Sequence, residues 1–171
     1  MQDRQQTVNE HIYFLGTGVR MIELGKKQKL LVVKTVDFGI YLGEDRNAPQ
    51  NERVLLPSKQ VPEGTKVGDE IEVFIYKDSQ DRLIATTREP MLQVGQTAVL
   101  KVKQVTRIGA FLDWGLEKDL LLPYHEQTNR VREGEECLVA LYVDKSSRLC
   151  ATMKVYHYLS FGLKVQKADK K

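Results

Sequence analysis

Several features that define other protein classes are missing from these 171 residues. No run approaches the roughly 20 apolar residues that a membrane-spanning helix needs. The stretch 11–19 lacks the basic flank and the apolar length of a signal peptide. With 42% hydrophobic and 29% charged residues, the composition is that of an ordinary globular chain. We therefore expect a cytoplasmic protein with no membrane partner.

Cysteine and histidine are scarce, and neither is spaced as metal ligands are. Cys137 and Cys150 fall in apolar strand patterns, which predicts two reduced thiols in the core. The three histidines, His11, His125 and His157, lie far apart, and the chain has no phosphate-binding glycine loop and no nucleophile elbow. The sequence therefore predicts a protein that is not an enzyme, with no metal, no cofactor and no small-molecule substrate.

Basic charge is in small excess, and it is concentrated at one end. The net charge is +3, but residues 1–153 hold 21 basic and 22 acidic residues. Residues 154–171 hold five lysines and one aspartate, so this segment is predicted to be a basic tail. Bulk charge alone therefore argues only weakly for nucleic acid.

What the chain does contain is an internal repeat of about 65 residues. Three motifs recur, at displacements of 70, 66 and 66 residues: FGIYL at 38–42 with IGAFL at 108–112, LLP at 55–57 with LLP at 121–123, and RLIAT at 82–86 with RLCAT at 148–152. The four extra residues of the first copy fall within the polar stretch 44–53. That stretch is expected to form a longer surface loop.

Each copy divides into five short apolar runs separated by turn residues, without a helical period. In the second copy these runs are 98–105, 110–114, 119–122, 137–143 and 148–153. The stretches 78–81 and 144–147 are predicted to be tight turns before the last strand. Five strands in so few residues cannot form a sandwich, whereas a small barrel removes the sheet edges.

These observations predict an all-β chain of two tandem five-stranded barrels of the OB-fold type. The barrels are expected at 22–89 and 91–153, with almost no linker at Pro90. Residues 1–20 match nothing in the repeat and are expected to be a disordered or non-native extension. Residues 156–161 fit either a short helical turn or, as we expect, a solvated linker.

Alternation along the fourth strand of each copy predicts which side chains face the barrel interior. Residues 71, 73 and 75 are predicted to point inward, with Glu70, Glu72 and Phe74 on the opposite face. The second copy has Cys137, Val139 and Leu141 at the inward positions. A hairpin turning about residues 145 and 146 would place Cys150 opposite residue 141, which is the wrong register for a disulfide with Cys137.

Gly39 and Gly109 occupy matching positions beside aromatic residues. A regular strand would place Phe38 and Tyr41 on opposite faces, so we expect a bulge at the glycine that brings both rings to one side. The preceding strand is locally basic in both copies. The phosphate-binding candidates are accordingly Lys34, Lys101, Lys103 and Arg107.

Each copy resembles an S1 domain. The resemblance lies in the glycine-aromatic motif, in a glycine before the fourth strand and in the aspartate turn before the fifth strand. Two such copies with LLP in tandem resemble the N-terminal half of the conserved virulence factor B family, a set of bacterial RNA-binding regulators. The resemblance covers residues 22 to about 153. Members of that family continue into a third S1 domain and a winged helix, so the chain is expected to be a truncated product or a shorter relative.

The resemblance implies a surface on the second and third strands where aromatic rings stack bases. Carried over by position, it assigns Phe38, Tyr41, Arg82, Phe111 and Arg148 to that surface. The sequence departs from the family pattern where Pro57 and Pro123 replace a histidine and where Ile108 replaces the first aromatic residue. Trp114 is a further stacking candidate, although a place at a barrel rim or domain interface fits equally well.

The expected function is binding of single-stranded RNA, as a post-transcriptional or virulence-type regulator in bacteria. Other proteins of the RNA machinery are possible further partners. The alternative is a protein-protein interaction scaffold, because surface aromatics on small barrels also serve protein interfaces.

Overall fold

The structure, a computed structural model, describes residues 12–14 and 21–159. Two compact units divide the chain. The first ends at Glu89 and includes residues 145–148, and the second holds 90–144 and 149–159.

The first unit contains a closed five-stranded barrel, preceded by a short strand pair. Its strands are β1 Ile12–Phe14, β2 Met21–Glu23, β3 Lys27–Val36, β4 Gly39–Gly43, β5 Val54–Pro57, β6 Glu70–Lys77 and β7 Leu83–Thr86. β1 pairs with β2, and the barrel has the order β3-β4-β5-β7-β6. β5 runs parallel to β7, whereas the other neighbours are antiparallel. Short 3-10 turns occupy Gln50–Glu52 and Ser58–Gln60.

The second unit repeats this arrangement as a five-stranded sheet. Its strands are β8 Thr97–Val105, β9 Gly109–Asp113, β10 Leu120–Pro123, β11 Glu136–Val143 and β12 Leu149–Thr152. They are ordered β10-β9-β8-β11-β12 in the sheet. A 3-10 turn follows at Tyr124–Glu126, and helix α1 spans Tyr156–Leu159. The prediction of an all-β chain with two five-stranded, barrel-like sheets is confirmed.

The two repeat glycines lie where the backbone of the neighbouring strand leaves no room for a side chain. A Cβ atom on Gly39 would lie 2.2 Å from the carbonyl oxygen of Leu56, and one on Gly109 would lie 2.3 Å from that of Leu122. Both glycines have positive φ, of 154° and 148°. The expected bulge is in the opposite strand, between Val32 and Lys34. The prediction of a bulge at the glycine itself is therefore wrong.

Strand β6 departs from the predicted alternation. Val73 and Ile75 are buried as expected, but Phe74 and Tyr76 are buried too, and their rings stack with centroids 6.4 Å apart. Since the outer face of β6 is itself covered over this stretch, exposure does not alternate there. Phe74 was predicted on the face opposite Val73 and Ile75, and the structure shows that this face is buried as well.

Both cysteines are buried and free, so the prediction of two core thiols is confirmed. The hairpin register differs by one residue from the expected one, because Cys150 pairs with Tyr142 rather than Leu141. The cause is a longer connection: five residues, 144–148, lie between β11 and β12. Neither register places Cys150 opposite Cys137.

Two expectations concern the ends of the chain. Of the extension predicted for 1–20, Ile12–Phe14 form strand β1, and the other residues lie outside the described ones. Of the predicted basic tail, the residues from 160 onward also lie outside them, and Tyr156–Leu159 form a helical turn where a solvated linker was expected. No helix in the described residues is long and apolar enough to cross a membrane.

Candidate nucleic-acid interface

An outward-facing row of side chains crosses three strands of the first barrel. Lys34 on β3 pairs with Tyr41 on β4, which pairs with Leu55 on β5. Directly opposed residues of antiparallel strands share one face of the sheet. Lys34 is exposed, and Tyr41 and Leu55 are half-buried. The row thus presents a cation, an aromatic ring and an aliphatic side chain together.

The hairpin between β3 and β4 adds a second ring to this row. The rings of Phe38 and Tyr41 meet edge to face, with centroids 6.2 Å apart and planes at 88°. The Phe38 side chain is 57% exposed. Its backbone carbonyl accepts a hydrogen bond from the amide of Ser58 at 3.0 Å, which ties the hairpin to the end of β5. The two rings lie side by side, and most of the Phe38 ring is open to a ligand.

The other basic residues of β3 lie beside acidic residues. Lys27 Nζ lies 2.7 Å from Glu89 and 3.4 Å from Glu72. Its hydrogen bond to Glu89, more than that to Glu72, raises the pKa of Lys27 above its usual value. Lys29 is paired in register with Glu72. Lys34, by contrast, makes no ion pair with any residue that the structure describes.

Arg82 is held by the turn before β7. Its Nε donates to Asp78 Oδ2 at 3.0 Å, while Asp78 Oδ1 accepts from the backbone amides of Gln80 and Arg82. Burial raises the pKa of Asp78, but these hydrogen bonds outweigh it and leave the pKa lower than usual. Arg82 remains 70% exposed. It can meet a phosphate only in competition with Asp78.

The second barrel has the matching row, with Gln104, Phe111 and Leu121 in place of Lys34, Tyr41 and Leu55. Phe111 is half-buried and Gln104 exposed. Ile108, at the position of Phe38, is 60% exposed. This face keeps one ring but lacks the cation and the second ring of the first barrel.

The predicted cations of the second barrel differ in their surroundings. Lys101 lies in register between Asp113 and Glu136, and Lys103, at the bulge, places Nζ 3.1 Å from Asp119. Arg107 is exposed and pairs with no acid among the described residues. The structure thus brings Arg107, but not Lys101 or Lys103, to an uncompensated position.

Two further predicted residues are engaged elsewhere. Arg148 is exposed, and its Nε lies 3.0 Å from Asp81 within the first unit. Trp114 is 2% exposed, and its indole N–H donates to the carbonyl of Lys118 at 2.6 Å. Because the ring is buried and its polar atom satisfied, Trp114 cannot stack a base. The prediction that it extends the stacking surface is wrong.

Sequence reasoning missed a ring and a cation that meet beside the β8–β9 hairpin. The hydroxyl of Tyr124 donates to the carbonyl of Thr106, and Arg130 Cζ lies 4.7 Å from the centre of the Tyr124 ring. The signal in the sequence was the tyrosine directly after the second LLP motif, where the first copy has Ser58.

Four acidic residues of the first barrel lie together outside these rows. Glu63, Asp69, Glu70 and Glu72 line an open depression on the first barrel. No group of three or more histidine, cysteine or acidic side chains in the described chain could hold a metal ion. Phosphate would be repelled from this side, which leaves the aromatic rows as the favourable surface.

Comparison with known proteins gives consistent matches. A family model described as an S1 domain matches twice, at residues 24–88 and 94–154. The chain is 33% identical over 135 residues to the uncharacterized protein YitL of Bacillus subtilis, covering 74% of this chain and 43% of that protein. It is 27% identical over 112 residues to conserved virulence factor B of Staphylococcus saprophyticus, covering 61% of this chain and 37% of that protein. The predicted resemblance is confirmed, and the chain spans less than half the length of these relatives.

One solved structure shares the fold. The crystal structure of a multidomain protein with nucleic acid binding domains from Streptococcus pneumoniae superposes with a TM-score of 0.63 at 21% identity. The match covers 78% of this chain and 47% of that protein.

Proposed function

The chain belongs to the S1 domain family, and from this premise we propose that it binds single-stranded RNA and catalyses no reaction. The observation that carries the proposal is the exposed Phe38–Tyr41 ring pair beside the uncompensated Lys34. An exposed ring stacks an unpaired base, and a neighbouring lysine meets the phosphate that follows it.

The energetics of stacking fit a surface with so few free cations. Each base stacked on an aromatic ring contributes roughly 1–3 kcal/mol, and the preference for particular bases is weak. Phe38 and Tyr41 in the first barrel and Phe111 in the second supply three rings. Bases inside a duplex are already stacked and shielded, so this surface favours single strands.

A regulatory role in bacteria is the finer part of the proposal. It is supported by the name of the staphylococcal relative, a conserved virulence factor. We propose that the chain acts after transcription, on RNA, and that proteins of the RNA machinery are further partners.

A protein-binding scaffold is the second candidate, and one observation favours it. Val99 on β8 and Leu138 on β11 are paired in register and are both exposed. Paired aliphatic side chains on an open sheet face are typical of a protein contact rather than of a phosphate backbone.

The two candidates are separated by titrating the chain with labelled oligouridylate and with an RNA duplex of the same length. We expect binding of the single strand, weakened by Tyr41→Leu at least fivefold. The control is Tyr156→Leu, since Tyr156 is an exposed aromatic residue outside the row and its loss should change nothing. Equal effects of the two variants, or preference for the duplex, would contradict the proposal.

A further inference from the structure

We infer that Tyr124, Arg130 and Arg107 form an additional contact site on the second barrel, which takes one nucleotide of a single strand. The base would stack on the Tyr124–Arg130 pair, and Arg107 would meet a phosphate. The inference rests on the proposed function and adds to it a site outside the sheet face that bears Phe111.

A short turn places Tyr124 and Arg130 beside the hairpin that bears Arg107. Tyr124 is the first residue of the 3-10 turn that follows β10. Its hydroxyl donates to the carbonyl of Thr106, so the ring is anchored against the β8–β9 hairpin. Arg107 is the next residue along that hairpin. Arg130 approaches from the loop after the turn and places its guanidinium carbon 4.7 Å from the centre of the ring.

The charges of this site are available to a ligand. Arg107 and Arg130 are exposed, and within the described part of the chain neither forms an ion pair. Glu126, in the same 3-10 turn as Tyr124, accepts a hydrogen bond from the hydroxyl of Thr152 at 2.7 Å, and its carboxylate lies 3.5 Å from His125 Nε2. Two arginines without acidic partners beside a ring suit a phosphodiester.

The repeat shows that this site belongs to the second barrel alone. At a displacement of 66 residues, the first barrel has Ser58 in place of Tyr124 and Gly64 in place of Arg130. The second barrel, in turn, has Ile108 where the first has Phe38. Each barrel therefore keeps a ring beside its first hairpin, but the second supplies it from the turn after its third strand.

The guanidinium favours a base over an acidic peptide as the occupant. A planar guanidinium held over a ring presents its other side as a flat surface, and bases stack on arginine planes as well as on aromatic rings. Lysine would keep the charge but not the plane. The exposed side chain of Ile108, on the same hairpin, extends the apolar surface beside the site.

The test measures binding of the full chain to labelled oligouridylate and to an abasic phosphodiester of equal length. Arg130→Lys and Tyr124→Leu should each weaken binding to oligouridylate about fivefold or more, the range expected for one lost stack, and should leave binding to the abasic strand unchanged. Tyr124→Phe keeps the ring and should bind nearly as the native chain does. Arg132→Ala removes one exposed charge from the same loop and is the matched control.

The outcomes separate this inference from the proposed function. If the native chain binds neither strand, both fail. If it binds oligouridylate but Arg130→Lys and Tyr124→Leu bind equally well, this inference alone fails. It also fails if Arg130→Lys and Arg132→Ala weaken both strands alike, or if polyglutamate binds at the site in place of oligouridylate. Thermal unfolding of each variant checks its fold, and Arg130→Lys, at an exposed position, keeps the test valid if Tyr124→Leu unfolds.

Discussion

Neutralising Lys34 should change the salt dependence of RNA binding, whereas neutralising Lys103 should not. The two lysines lie one position apart in the aligned strands β3 and β8, but Lys103 Nζ is 3.1 Å from Asp119 and Lys34 has no acidic partner among the described residues. A lysine that already pairs with an acid releases few counterions when RNA binds. Lys34→Gln and Lys103→Gln are therefore matched changes with different expected results.

The magnitude follows from counterion release. One phosphate contact contributes about 0.7 to the slope of log affinity against log salt for a single strand. Between 50 and 200 mM salt, the native chain should therefore lose about 2.6-fold more affinity than Lys34→Gln. Phe38→Leu should instead lower affinity by roughly 1–3 kcal/mol at both salt concentrations, because stacking is not screened as charge is.

Fluorescence anisotropy with labelled oligouridylate at four salt concentrations measures these slopes. Equal slopes for Lys34→Gln and the native chain would refute the assignment of Lys34 to a phosphate. A larger slope change in Lys103→Gln than in Lys34→Gln would refute the argument that ion pairing decides which lysines bind.

Three further predictions concern the fold. Gly39→Ala should lower the free energy of unfolding in urea by about 3 kcal/mol or more, because its Cβ would overlap a backbone oxygen. Gly64 also has positive φ, but no atom lies within 4 Å of its Cβ position, so Gly64→Ala should lower the free energy of unfolding by only about 1–2 kcal/mol. Equal losses in the two variants would contradict the close approach at Gly39. Burial, together with nearby acidic groups, raises the pKa of Tyr142 above its ordinary value of 10.0. The unfolded chain then loses the Tyr142 proton at a lower pH than the folded chain does, so the free energy of unfolding should fall above pH 10 by up to about 1.4 kcal/mol per pH unit. Tyr142→Phe should fall less steeply over the same pH range. An equally steep fall in the variant would show that Tyr142 ionises freely in the folded chain. Cys137 and Cys150 should react slowly with a disulfide reagent in the native chain, because both are buried and burial raises the pKa of the Cys137 thiol. Prompt reaction of both thiols would show that the core admits the reagent.

The strands were predictable because turn residues and apolar runs are local signals. Each boundary predicted for the strands of the second copy lies within one residue of the observed one. The repeat also gave the places of both cysteines, since Cys137 and Cys150 align with Ile71 and Ile84. Ile71 and Ile84 are themselves only half-buried, so the alignment predicted the apolar surroundings of the thiols but not their full burial.

The surface was less predictable because it depends on which strands become neighbours. The charged residues along β3 are mostly lysines, so the sequence predicted a basic strand. The cross-strand register, however, sets Lys29 opposite Glu72, and Lys27 forms ion pairs with Glu72 and Glu89. A five-residue connection instead of a four-residue turn moved the partner of Cys150 by one position. These features follow from pairing between segments far apart in the chain, which periodicity along one strand does not contain.

The balance of rings and free cations bears on what kind of RNA the surface selects. Lys34 and Arg107 are the predicted cations that lack an acidic partner among the described residues of the rows and the β8–β9 hairpin. Two phosphate contacts give a slope of log affinity against log salt of only about 1.4. Stacking on Phe38, Tyr41 and Phe111, at roughly 1–3 kcal/mol per base, must then supply most of the affinity. A surface of this kind discriminates by the availability of unpaired bases rather than by charge density. Polyanions without bases should therefore compete poorly for it, because they offer phosphate or sulfate groups but nothing to stack.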